Sequence, residues 1–163
     1  MSHSSPALAA WKKLSGIPGG KWLFSRFVSL KAPYFASIGA QFVELQPGYC
    51  ELRLTKRRKV LNHIGTVHAI AMCNMAELAA GTMTEVSLPA THRWIPKSMT
   101  VDYLAKAGTD LRATATLDPI PVFAEAMELP VTVDVTDSRG TPVFRAVIRM
   151  WVSPRGPGEQ PAA

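Results

Sequence analysis

The side chains best suited to chemistry lie in one stretch, Asn62 to Thr84, which reads NHIGTVHAIAMCNMAELAAGTMT. From Thr66 to Met83 the only acidic side chain is Glu77, and neither Lys nor Arg occurs. At helical spacing Ile70, Asn74, Glu77 and Gly81 fall on one line. A carboxylate with an amide one turn before it and open space one turn after it would suit a small reacting group. Burying an unpaired carboxylate is costly, and the usual escape is a partner or a shifted pKa. The same line also fits the solvent-facing strip of a surface helix, because most helix glutamates are solvated. The helix alone leaves both readings open.

The element that must position Glu77 is that helix. The window from Thr66 to Met83 has no Pro and is rich in Ala, Met, Leu and Glu, all strong helix formers. Val67, Ala69, Ile70, Ala71, Met72, Cys73, Met75, Ala76, Leu78, Ala79 and Ala80 go all the way round. A helix apolar on every side is buried in protein or in a membrane. This one is too short and too polar at its ends to span a bilayer, so it is expected inside a soluble domain.

Around it the chain reads as two helices and six strands. Residues 4–15 form a helix with Ser4 or Ser5 as cap and Pro6 in the first turn. Residues 21–31 form a second, with Trp22, Phe24, Phe27, Val28 and Leu30 as packing contacts, and Pro33 stops it. Strands are expected over 34–45 and 49–55, paired as a hairpin, then over 94–106, 109–117, 129–137 and 142–152. The last two form a hairpin about Ser138-Arg139-Gly140. Thr84 to Thr91 reads as a loop. This predicts one α+β domain over 1–163, with a helical extension at 1–32 and a flexible tail at 153–163. Its curled antiparallel sheet of about six strands carries the long apolar helix on one face.

Composition narrows the partners. The chain has 163 residues, 47% hydrophobic and 18% charged, which suits one globular domain with a real core. Its net charge of +6 and pI near 9.6 suit an anionic partner. The one dense basic run, Lys56 to Lys59, has no interleaved aromatics, which argues against a nucleic-acid platform. Two cysteines, Cys50 and Cys73, do not make a disulfide framework, and no metal-ligand cluster or cofactor motif is seen. No signal-peptide pattern or spanning segment is read, so a cytoplasmic protein without a membrane partner is expected.

The order of elements from about Tyr34 to Val152, and the loop residues Asn62, Gly65, His68 and Glu77, resemble the hot-dog fold acyl-CoA thioesterases. The likeness is to the phenylacetic-acid-pathway type and the uncharacterised domains related to it. That family carries Asn, then Gly, then His-Gly-Gly at the start of the central helix, then an acid nine residues past the His. Here the two glycines are Ala69 and Ile70, and the acid is Glu.

The resemblance implies hydrolysis of an acyl-CoA thioester with no cofactor and no metal. The Ala69 N–H would hold the oxyanion, and Glu77 would be nucleophile or general base. Asn62 would orient water or the carbonyl, with Gly65 and His68 fixing the loop. Asn74 and Met72 would touch the substrate, and Arg57, Arg58, Lys59 and Lys97 would meet the coenzyme A phosphates. Nine residues from His68 to Glu77 is about 13 Å along a helix. One helix therefore cannot bring both groups to one carbonyl, and the family answers with a site shared across a homodimer. A tetramer of such dimers is left open.

Two other readings compete. One is a hot-dog domain that binds acyl-CoA or lipid without turnover, suggested by the missing glycines. The other is a hydroxyacyl dehydratase pairing His63 with Glu77, fourteen residues apart.

Overall fold

The computed structural model describes residues 5–156. Helix α1 (Pro6–Leu14) is capped by the Ser5 hydroxyl, which accepts from the Leu8 N–H at 3.2 Å. Helix α2 (Gly20–Lys31) follows, and a 3-10 turn over Pro33–Ser37 replaces the start of the strand expected from residue 34. The strands are β1 (Gln41–Gln46), β2 (Tyr49–Leu54), β3 (His92–Tyr103), β4 (Leu111–Thr116), β5 (Met127–Asp137) and β6 (Pro142–Pro154). Helix α3 (Ala69–Ser87) lies between β2 and β3 in sequence. It runs past Thr84, where a loop was expected. The Thr84 and Ser87 hydroxyls donate to the Ala80 and Met83 carbonyls at 2.8 and 2.6 Å, so these polar residues stay inside the helix.

All strand pairs are antiparallel, in the order β1-β2-β4-β5-β6-β3. The hairpins β1–β2 and β5–β6 are those expected. In the second, the Asp137 carboxylate accepts the Arg139 and Thr141 N–H groups, both at 2.9 Å. The expected tail at 153–163 begins inside β6; its last part, residues 157–163, lies outside the described residues, as do residues 1–4.

The sheet curls around α3, which is the hot-dog arrangement. Its concave face presents Cys50, Leu52 and Leu54, Ala113 and Ala115, Val131, Val133 and Val135, and Ala146, Ile148 and Met150, all buried. Small alanines let the helix approach closely, and Met75, Ala76, Ala79, Ala80 and Met83 of α3 fill that face. Burying such side chains contributes roughly 1.5–3 kcal/mol each for the larger ones. The convex face carries ion pairs, Arg53–Asp110 at 2.9 Å, Arg145–Asp134 at 2.6 Å and Arg149–Glu128 at 3.2 Å. Such exposed pairs contribute little to stability.

The N-terminal helices join the same core. Trp11, Phe24 and Phe42 pack edge to face and tilted, with Phe24 centred 5.2 Å from Trp11 and 5.0 Å from Phe42. The expectation that all of α2's large residues pack is corrected. Phe24 is buried and Val28 packs on the core, but Trp22, Leu23, Phe27 and Leu30 stand in solvent. No described helix is long and apolar enough to cross a membrane.

Candidate active site

The loop before α3 is held by its own side chains. Asn62 Oδ1 accepts the Ile64 and Thr66 N–H groups, both at 3.1 Å, and its Nδ2 donates to Thr66 Oγ1 at 2.8 Å. Gly65 sits at φ +77°, the left-handed region that glycine enters without strain, and its N–H reaches the Asn62 carbonyl at 3.1 Å. His68 caps the helix: its Nδ1 accepts the Ile70 N–H at 3.0 Å, and its own N–H binds the Val60 carbonyl at 2.8 Å. Asn62 is thus spent on the loop and His68 on the cap. The Ala69 N–H has no partner among the described residues, at the positive end of a 19-residue helix. Ile70 stands beside it, 54% exposed.

Glu77 lies eight residues further on. It is half-buried and lines an open cavity of about 200 Å³ with Pro96, Lys97, Ser98, Met99 and Ile148. The cavity exists because β3 is irregular there. Pro96 has no N–H to give the ladder, and pairing with β6 slips between Pro96 and Ser98. Edge strands tolerate such a break.

Helix α3 and β3 run antiparallel along this face, one contact per turn. Cys73 Sγ is 3.8 Å from the Tyr103 hydroxyl, Glu77 meets the bulge, and Gly81 and Glu85 meet Trp94. The contact with Cys73, ahead of burial, raises the Tyr103 pKa above the ordinary phenol value. The gap expected past Glu77 is not open. A Cβ on Gly81 would lie 2.7 Å from the Trp94 ring, which is anchored by its indole N–H donating to Glu85 Oε2 at 2.8 Å. The open space is at the bulge instead.

The remaining expected site residues are dispersed. Asn74 is buried and does not line the cavity. Its Nδ2 makes long bonds to Ser37 Oγ (3.3 Å) and the Tyr34 carbonyl (3.4 Å), and its Oδ1 has no partner among the described residues. Met72 is core, like Met75. Arg57 donates to the Ile38 carbonyl at 2.9 Å, whereas Arg58 and Lys59 are exposed on a 3-10 turn. Lys97 lines the Glu77 cavity with its Nζ 4.8 Å from the Trp151 ring centre.

One chain therefore brings Glu77 and Lys97 together, and separately Asn62, Gly65, His68 and Ala69. It does not bring the two groups together: Ala69 and Glu77 are about 12 Å apart at ~1.5 Å per residue. Sequence reasoning missed Pro96, Ser98, Met99 and Ile148. The signal was there in Pro96, a residue that breaks an otherwise regular strand. A larger cavity of about 380 Å³, lined by Arg93, Trp94, Ile95, Trp151 and Ser153, lies away from Glu77. Among the described residues no three His, Cys, Asp or Glu side chains gather as a metal site.

Residues 20–152 match the model of a family described as Domain of unknown function (DUF4442). Among solved structures, a structural-genomics crystal structure is 53% identical, with a TM-score of 0.81 over 91% of this chain and 98% of that one. A Pseudomonas aeruginosa protein of unknown function, described as a probable thioesterase, is 26% identical, with a TM-score of 0.75 over 85% of this chain and 97% of that one. A Haemophilus influenzae thioesterase shares the fold at 12% identity, with a TM-score of 0.65 over 74% of this chain and 82% of that one. No curated protein matches the sequence.

Proposed function

The chain belongs to the DUF4442 family, and we propose that it hydrolyses acyl thioesters, acyl-CoA in particular, at a site completed by a second copy of itself. The observation that carries this reading is Glu77. It is a half-buried carboxylate, the only charged side chain of α3 before Glu85, and it opens into a cavity at the bulge of an edge strand. The probable-thioesterase description of the 26%-identical Pseudomonas protein supports the same chemistry.

In this reading the thioester carbonyl lies between two groups. A helix-start N–H, that of Ala69, donates to the developing oxyanion, and one such donor contributes about 3 kcal/mol in other enzymes. Glu77 acts as general base or nucleophile on the carbonyl carbon. As base it takes a proton from water while the hydroxide adds. The C–S bond then breaks, and the thiolate leaves with a proton returned by the carboxyl group. The products are the free acid and the thiol.

In this reading the two come from different subunits, which the roughly 12 Å between Ala69 and Glu77 along one helix supports. The unpaired edge of β3, with exposed Ile95, Met99 and Tyr103, is the natural seam for a two-fold pair. Arg58 and Lys59 are exposed and would meet phosphate, with Lys97 beside the cavity over the Trp151 ring, whereas Arg57 is tied to Ile38. Asn62 and His68 shape the loop that presents the Ala69 N–H.

The test is thiol release from short, medium, long and aryl acyl-CoAs by the wild type and Glu77→Gln. Release that falls at least about a hundredfold in the variant, with unchanged circular dichroism, is expected. Release untouched by Glu77→Gln would sink the mechanism. A second reading, acyl-CoA binding without turnover, rests on Ile70, whose exposed side chain stands beside the Ala69 N–H. It would show saturable binding by calorimetry with no thiol released.

A further inference from the structure

We infer that helix α2 is a docking face for an anionic lipid surface, on which the protein lies without entering the bilayer. This does not depend on the hydrolase reading. The observation is the outward half of α2. At about 100° per residue, Trp22, Arg26, Leu30, Leu23 and Phe27 follow one another around one side, and Lys31 closes the arc. Phe24, Ser25 and Ser29 are buried on the other side. Trp22 is 56% and Leu30 73% exposed, and the apolar surface continues into Ile17 before the helix and Tyr34 after it. Large exposed apolar side chains in a row mark a contact surface rather than chance exposure.

Charge decides what the contact is with. Residues 5–43 contain Lys12, Lys13, Lys21, Arg26 and Lys31 and no Asp or Glu. Lys21 is tied down, donating to the Val43 carbonyl at 2.6 Å, but Lys12, Lys13, Arg26 and Lys31 are exposed. Lys31 arches over the Phe27 ring, its Nζ 5.0 Å from the centre, so its stem lies along the apolar face with the charge at the rim.

Trp, Phe and Leu on a face rimmed by Lys and Arg are the residues that settle at a headgroup boundary, held by apolar insertion and by attraction to anionic lipid. A second copy fits less well. In a two-fold contact through this face Arg26 and Lys31 would meet no carboxylate, because residues 5–43 hold no Asp or Glu. The helix also packs on β1, at the opposite end of the strand order from the free edge of β3. The expectation of no membrane partner rested on the lack of a spanning segment, and a helix lying in the headgroup layer needs none.

The test is sedimentation of the full chain with vesicles of phosphatidylcholine alone and of phosphatidylcholine mixed with phosphatidylglycerol. Binding is expected only to the mixed vesicles and is lost in high salt. Phe27→Asp with Leu30→Asp abolishes it, and Arg26→Ala and Lys31→Ala each weaken it by about fivefold. Thermal unfolding, unchanged in these surface variants, serves as the fold control. Failure to bind phosphatidylglycerol vesicles would overturn the inference, as would binding untouched by the Phe27 and Leu30 substitutions. A wild-type dimer that becomes a monomer in Phe27→Asp/Leu30→Asp would also overturn it, because the face would then be covered by a second copy.

Discussion

Gly81 and Trp94 set how closely α3 approaches β3. An added methyl at Gly81 would press on an indole that cannot swing away without giving up its bond to Glu85. Overpacking of this kind costs ~1–3 kcal/mol, while Ala in a helix gains at most about 1 kcal/mol over Gly. Gly81→Ala should therefore destabilise by about 1 kcal/mol in urea denaturation. In a Trp94→Leu background the same change should become stabilising, because the obstruction is gone. A sign that does not reverse would place the cost elsewhere. His68 poses the converse case, since its imidazole was expected to serve the site and also caps α3. Loss of an N-cap costs ~1 kcal/mol, and Asn is among the best replacements. His68→Ala should lose about that much stability, and His68→Asn should restore it. If the imidazole only presents the Ala69 N–H, His68→Asn should also keep thiol release within a fewfold of wild type.

The free edge of β3 is the element on which both the proposed assembly and the proposed site depend. Its twelve residues leave one side without a strand partner among the described residues. Two such edges pair antiparallel about a two-fold axis, and like charges placed opposite each other there are repulsive. Thr100→Lys with Asp102→Lys should convert a dimer to monomers in sedimentation velocity. It should lower thiol release together with dimer content, because in the proposed shared site neither half works alone. Activity that survives in the monomer would refute the shared site. The sheet also carries two aspartates with pKa values below the ordinary carboxylate range. Asp110 is held there by the Arg53 guanidinium and the Lys56 N–H, and Asp137 first by the Thr141 N–H. Because the folded values lie below the unfolded ones, the unfolded chain binds protons first as pH falls. Their contribution is complete above the ordinary aspartate pKa and is lost as pH drops through the lowered folded values. Unfolding followed from neutral to acid pH should show that loss, with a shallower dependence in Asp110→Asn and Asp137→Asn.

At the scale of the whole molecule, strands were legible wherever one face is core. Cys50-Glu51-Leu52-Arg53-Leu54 alternates because β2 is half-buried, and Val131, Val133 and Val135 mark β5 in the same way. Residues 34–40 misled because apolar residues there pack through a 3-10 turn set by Pro33, which local alternation cannot separate from a strand. The cavity was half legible. Glu77 stood out as the only acid between Thr66 and Met83, but the cavity's walls come from a bulge that depends on which strand lies at the edge, and that is a property of the pairing order. The boundary drawn at residue 32 is legible only as composition, a run of helix before a run of strands. Packing gives it another meaning: Leu8, Trp11 and Phe24 share one buried cluster with Phe42 and the inner face of the sheet. An appended helix pair could be removed, whereas part of a core cannot. Phe24 is fully buried between two aromatic rings, and truncating such a phenylalanine costs about 3–5 kcal/mol. Set against a typical domain stability of roughly 5–15 kcal/mol, Phe24→Ala should lower the urea midpoint of the whole protein in a single cooperative transition. Removal of residues 1–32, which strips the cover from Phe42, should leave a chain with no cooperative transition at all. A truncated chain that unfolds cooperatively near the wild-type midpoint would make the extension dispensable and return the boundary to residue 32.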